Sequence, residues 1–136
     1  MVDIINYETL LMVGREQKEP QRFLFVFLKS ALPKDVEGDE AERFYAGKGG
    51  VLQPIMCVDK PLDELTNFAD LVKESENMEQ EWHMVLVACL SGAGNMMPTS
   101  AETELQLKMM VQMVENGGDL SRYLAFDKNG DLLQFN

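Results

Sequence analysis

Four side chains able to do chemistry, Cys57, Asp59, Lys60 and Ser91, stand at the ends of two apolar runs, VLQPIMCV and WHMVLVACL. A thiol, a carboxylate, an ammonium and a hydroxyl gathered on one rim would make an enzyme-like site. Open α/β sheets collect their ligands beyond the carboxyl ends of the strands. If the two runs are parallel neighbours, these residues therefore share one rim, and Cys57, Asp59 and Ser91 are the candidate catalytic residues of a small enzyme.

The stretch CLSGAGNMMPTSAE offers binding chemistry instead. A strand runs into glycines and then into a helix start, whose unpaired N–H groups and positive dipole end suit a carboxylate or phosphate. Ser91, Gly92, Gly94, Thr99 and Ser100 are the candidate ligand-binding residues, with Lys60 as counter-charge. Two features oppose this. GAGNMM lacks the third glycine of a dinucleotide fingerprint, and no Gly-Lys-Ser/Thr follows to make a phosphate loop. Glu102, three residues after Thr99, completes a capping box that would occupy part of the same helix start.

Other constellations are thinner. His83 is the one histidine, so any histidine-based dyad or zinc site would have to use it. DKNGD at 127–131 looks briefly like a calcium loop, but its glycine stands at the fourth place instead of the sixth. Asn129-Gly130 between SRYLAF and DLLQF reads better as a hairpin with a type I′ turn. Cys57 and Cys89 each sit in an apolar run, which predicts two packed thiols in a reducing compartment. No metal site and no cofactor is expected.

Charge narrows the partners. Against 23 Asp and Glu the 136-residue chain carries 12 Lys and Arg, a formal net charge of −11, so its mean field repels phosphate backbones and anionic lipid heads. The longest apolar runs, 23–28 and 84–90, are far too short to span a bilayer. No basic leader opens the sequence. The expectation is one cytoplasmic domain over 1–136 that binds neither nucleic acid nor membrane.

The elements that must position these residues follow from periodicity and punctuation. Asn6 caps a helix to about 17, closed by Pro20; 22–28, RFLFVFL, is a strand apolar on both faces and so central in a sheet. The 31–50 stretch is irregular, with a short helix at 39–46. Strand 51–58 carries Pro54, which argues for an edge or a bulge. Pro61 opens a helix to about 77, 82–90 is a third strand, and 99–116 is a helix stopped by Gly117-Gly118. The mixture of crossovers and a terminal hairpin predicts an α+β fold, a single mixed β-sheet with packed helices.

Ten methionines are present, and Met109, Met110 and Met113 gather on the last helix. Its apolar residues sweep roughly 240° of the circumference, more than one sheet face can cover. The surplus predicts either cover from the same chain or a protein partner or homodimer seated on Met109, Met110 and Met113. Met96 and Met97 could form a lid over the sheet end.

At FLFVFL, GGVLQPIMCVDKP, LVACLSGAGNMMPTSAE and LAFDKNGDLLQF the chain resembles a family of small uncharacterised proteobacterial proteins, some of them labelled ribonucleotide reductase alpha subunit. The chain departs from that enzyme in being far too short for its catalytic barrel and in having two cysteines, and the resemblance carries no catalytic residues to transfer. Taken together, a non-enzymatic interaction or small-anion-binding domain is expected, with the small enzyme at the Cys57, Asp59, Lys60 and Ser91 rim as the alternative.

Overall fold

The computed structural model describes residues 4–31, 51–79, 81–116, 118–120 and 123–133. Its elements in chain order are α1 (Tyr7–Arg15), β1 (Gln21–Ala31), β2 (Val51–Pro61), a 3₁₀ turn (Leu62–Glu64), α2 (Phe68–Glu76), β3 (Met84–Ser91), α3 (Ser100–Glu115), β4 (Leu124–Asp127) and β5 (Leu132–Leu133). The short helix expected at 39–46 lies outside the described residues.

The α+β class holds. One sheet is ordered β2-β1-β3-β4-β5. Where a mixed sheet was expected, every pairing among the described residues is antiparallel. The physical reason is that β1 lies between β2 and β3 and reverses direction against both. β2 and β3 therefore point the same way without touching.

The continuous apolar run of β1 is used on both faces. Phe23, Phe25 and Phe27 pack with Tyr7, Leu10 and Leu11 of α1, Phe68 and Leu71 of α2, and Trp82. Leu24, Val26 and Leu28 pack on the other face with Met110 and Val114 of α3, and with Leu120. Antiparallel sheets usually leave one face wet, and an alternating pattern then shows it. Here helices cover both faces and the alternation disappears.

Local signals placed most ends well. Asn6 accepts from the Thr9 N–H at 2.9 Å, and Thr99 with Glu102 forms the expected capping box. The Gly118 N–H returns to the Met113 carbonyl at 2.9 Å, closing α3 as a glycine stop should. β2 is an edge strand, and its register skips a residue where Phe27 pairs Met56 but Leu28 pairs Pro54, the bulge that Pro54 foretold.

Two elements differ from expectation. The helix expected from Pro61 begins only at Phe68, because Pro61 finishes β2 and the Asn67 side chain caps the later start by accepting from the Asp70 N–H at 2.8 Å. At the terminal hairpin the Gly130 N–H donates to the Asp127 carbonyl and only Gly130 of the loop residues has positive φ, +86°. That is a type I turn at Lys128-Asn129 followed by a glycine bulge, in place of a type I′ turn on Asn129-Gly130.

Candidate functional site: a cleft at the ends of β1 and β3

The expected rim is taken apart by β1. Cys57 pairs across Val26 and Asp59 across Leu24, which puts both on the α3 face, where Asp59 accepts from the Arg22 guanidinium Nε at 2.5 Å. Lys60 alternates to the opposite face and forms an ion pair with Glu74 of α2 at 2.8 Å. Ser91 sits beyond β1, two strand spacings across the sheet and further along it, opposite Gln21 while Asp59 and Cys57 stand opposite Leu24 and Val26. Neither a catalytic trio of Cys57, Asp59 and Ser91 nor a Lys60 counter-charge beside Ser91 is assembled.

The glycine segment folds on itself. Ala93 and Met96 exchange both backbone hydrogen bonds at 3.0 Å around Gly94 and Asn95, whose φ values are +58° and +63°. This is the type I′ geometry expected at the other end of the chain. The Gly92 N–H donates to the Pro20 carbonyl at 2.8 Å, and the Asn95 N–H to the Glu19 carboxylate at 2.8 Å. At the helix start the Glu102 carboxylate accepts from the Thr99 N–H and hydroxyl. The chain's own carboxylates hold the positions an anion would take, and Ser100 lies exposed beyond them. Met96 is 72% exposed and Met97 is exposed too, so neither closes a lid over the sheet.

What the sheet end does bring together is Gln21, Cys89 and Ser91. Gln21 is 4% exposed, and all three of its polar contacts are internal: Nε2 donates to Ser91 Oγ at 2.7 Å and to the Glu19 carbonyl at 2.9 Å, while Oε1 accepts from the Cys89 thiol at 2.8 Å. Both cysteines are free and exposed at the residue level, contrary to the packed thiols expected. The Cys89 sulfur nonetheless turns inward onto Gln21, and its desolvation pushes the thiol up to about 11. At neutral pH it is a hydrogen-bond donor and not a nucleophile.

At this sheet end lie two cavities of about 450 and 470 Å³, both bordered by Gly14, Gln17 and Gln21, the second also by Cys89. The inner one has apolar walls, Leu10 and Val13 from α1, Phe23, Val87, Leu124 and Met109, with Cys89, Gln106 and Tyr123 as polar edges. The outer one carries Arg15, Lys18, Glu19 and Asp63. Glycine at 14 lets α1 settle on the sheet here: a Cβ would meet the Phe23 ring at 3.2 Å and Leu62 at 3.3 Å.

The cleft lies where the described pairing of β3 with β4 ends. The last pair is Leu124 with Val87, so 88–91 have a neighbour on the β1 side alone among the described residues. The Gly92 to Pro20 bond fixes the alternation and turns the backbone groups of Cys89 away from β1, toward the opening. Of the cleft-lining residues, sequence reasoning gave Cys89, Met97 and Met109 a part in its chemistry or surfaces, and Pro20 only a helix stop. The available signal was Gln21, a polar residue opening an otherwise apolar central strand.

Met110 belongs to the core at 1% exposure, so a partner surface made of Met109, Met110 and Met113 loses its middle member. His83 is exposed beside Glu81, its Nε2 3.7 Å from that carboxylate. The Asp127 carboxylate accepts from the Asn129 and Asp131 amides of its own turn. No group of three or more His, Cys, Asp or Glu side chains that could hold a metal ion occurs among the described residues, and no described helix is long and apolar enough to cross a membrane. Comparison of the chain with protein-family models, with curated proteins and with solved structures finds no match in any of the three.

Proposed function

We propose that the protein is a cytoplasmic, non-enzymatic binding domain that holds a small amphipathic molecule in the double cleft between α1 and the ends of β1 and β3. One observation carries this: two cavities of about 450 and 470 Å³ share Gly14, Gln17 and Gln21 as walls, one lined mostly by apolar side chains and the other by Arg15, Lys18, Glu19 and Asp63 as well. Concave sites of a few hundred Å³ with apolar walls and few polar groups are where proteins take small ligands. The Cys89 thiol that lines the cleft is held protonated against Gln21, which suits a wall of a binding site better than a nucleophile.

The small-anion expectation moves from the glycine turn to the mouth of this cleft. Arg15 and Lys18 line it, and neither side chain makes a hydrogen bond or ion pair among the described residues. Glu19 and Asp63 line it as well, so the mouth is formally neutral in a protein of charge −11. A thermal-shift panel of octanol, octanoate and octylamine tests the proposal. Saturating binding of any one raises the melting temperature by ligand linkage, and octanoate alone would mark Arg15 and Lys18 as the anchor. No shift with all three would overturn the proposal.

A dimer through α3 is the second reading, favoured by Leu105 and Met109, one turn apart and 57% and 42% exposed. Sedimentation at rising concentration tests it, and a monomer at every concentration removes it.

A further inference from the structure

Tyr7, the first residue of α1, is 1% exposed, with its ring 5.3 Å from that of Phe68, 6.0 Å from Phe126 and 6.5 Å from Phe25. Phenylalanine would fill this aromatic nest without a polar atom. Tyrosine brings a buried hydroxyl, and that hydroxyl has no hydrogen-bond partner among the described residues. Buried polar atoms in folded proteins are nearly always satisfied, by protein or by ordered water. An orphan of this kind therefore points to something that completes it.

The place for it is beside the ring. Tyr7 borders a cavity of about 30 Å³ whose polar lining is Lys60, Glu64, Thr66, Asn67, Asp70 and Glu74. A water needs about 10–15 Å³ of accessible space and two to four polar partners. The volume matches one or two waters. The partners fit a water and not a metal cation, because the Lys60 ammonium stands in the lining, 2.8 Å from the Glu74 carboxylate.

We propose that this cavity is a hydration site in which an ordered water accepts a hydrogen bond from the Tyr7 hydroxyl and joins it to the Lys60–Glu74 ion pair, tying α1 to β2 and α2. The water's second acceptor site takes a Lys60 proton, and its two protons go to carboxylates such as Glu74 and Asp70. Burial first, then the charges of Glu8 and Glu74, hold the phenol well above its ordinary titration range, so it is a donor at any physiological pH. Ligand occupancy of the main cleft plays no part in this site.

A high-resolution crystal structure of the wild-type chain and of Tyr7→Phe tests it. Expected is a water peak within hydrogen-bond distance of Tyr7 Oη and of Lys60 Nζ or the Glu74 carboxylate, lost or weakened in the variant. The variant's melting temperature should fall by several degrees, the cost of a lost buried hydrogen bond in a domain of this size. No water on Tyr7 Oη would overturn the proposal. So would an unchanged or raised melting temperature for Tyr7→Phe, the result for a hydroxyl that is simply unsatisfied.

Discussion

The Cys89 thiol donates to Gln21 Oε1 at 2.8 Å from the neighbouring strand, and this contact is the floor of the cleft. Its chemistry gives a pH prediction. The thiol titrates near 9.0 in the unfolded chain and near 11 in the folded one, so the folded state holds the proton more tightly across that interval. Stability from this group is complete below pH 9 and falls as pH rises from 9 to 11. Urea midpoints measured across the window should decline more steeply for the wild type than for Cys89→Ala. Alkylation at pH 8, where on the order of one Cys89 thiol in a thousand is ionised, should label Cys57 first.

Gln21→Leu keeps the volume and removes the amide. The Cys89 thiol and Ser91 hydroxyl then lose their shared partner, and unfolding free energy should drop by about 1–3 kcal/mol. A drop below about 0.5 kcal/mol in urea titration would mean that water replaces the amide and that the cleft floor is wet.

The turn after β3 separates two uses of glycine. A Cβ at Gly92 would lie 1.8 Å from the Met96 carbonyl oxygen, so Gly92→Ala must open the turn. At Gly94 there is nothing within 4 Å and only the φ of +58° resists a side chain, a cost of roughly 1–2 kcal/mol. Thermal melts should rank Gly92→Ala well below Gly94→Ala, and Gly94→Asn close to wild type. An equal loss at both positions would contradict the described turn.

Trp82 is fully buried, and its indole N–H donates to Ser75 Oγ at 2.7 Å while that hydroxyl donates to the Val72 carbonyl. Ser75→Ala leaves the indole N–H without an acceptor and should cost about 1–3 kcal/mol. The same variant should leave ligand binding unchanged, because Ser75 lies on α2, away from the cleft.

The chain's own punctuation made much of this fold legible. Asn6, Thr99 with Glu102, and Pro54 acted within a few residues of themselves, and their caps and bulge stand where expected. Strand order was not legible, because the run RFLFVFL shows that both faces are covered and says nothing of which strands flank it. Placing β1 between β2 and β3 is what separated Cys57, Asp59 and Lys60 from Ser91. The helix before β3 was misplaced because apolar spacing continued through Leu62 and Leu65, while Asn67 offered a better cap. The cleft escaped notice because it lies where pairing lapses among the described residues: β4 begins at Leu124, opposite Val87, and no local signal in 88–91 records the missing neighbour.

Amide chemical shifts during titration with octanol and octanoate test the double cleft most directly, because they report where a ligand sits as well as whether it binds. The account predicts saturable shifts at Gly14, Gln17, the side-chain amide of Gln21 and the backbone of Cys89, with 92–101 little affected. Shifts confined to 92–101, or none up to the solubility limit of both ligands, would contradict it.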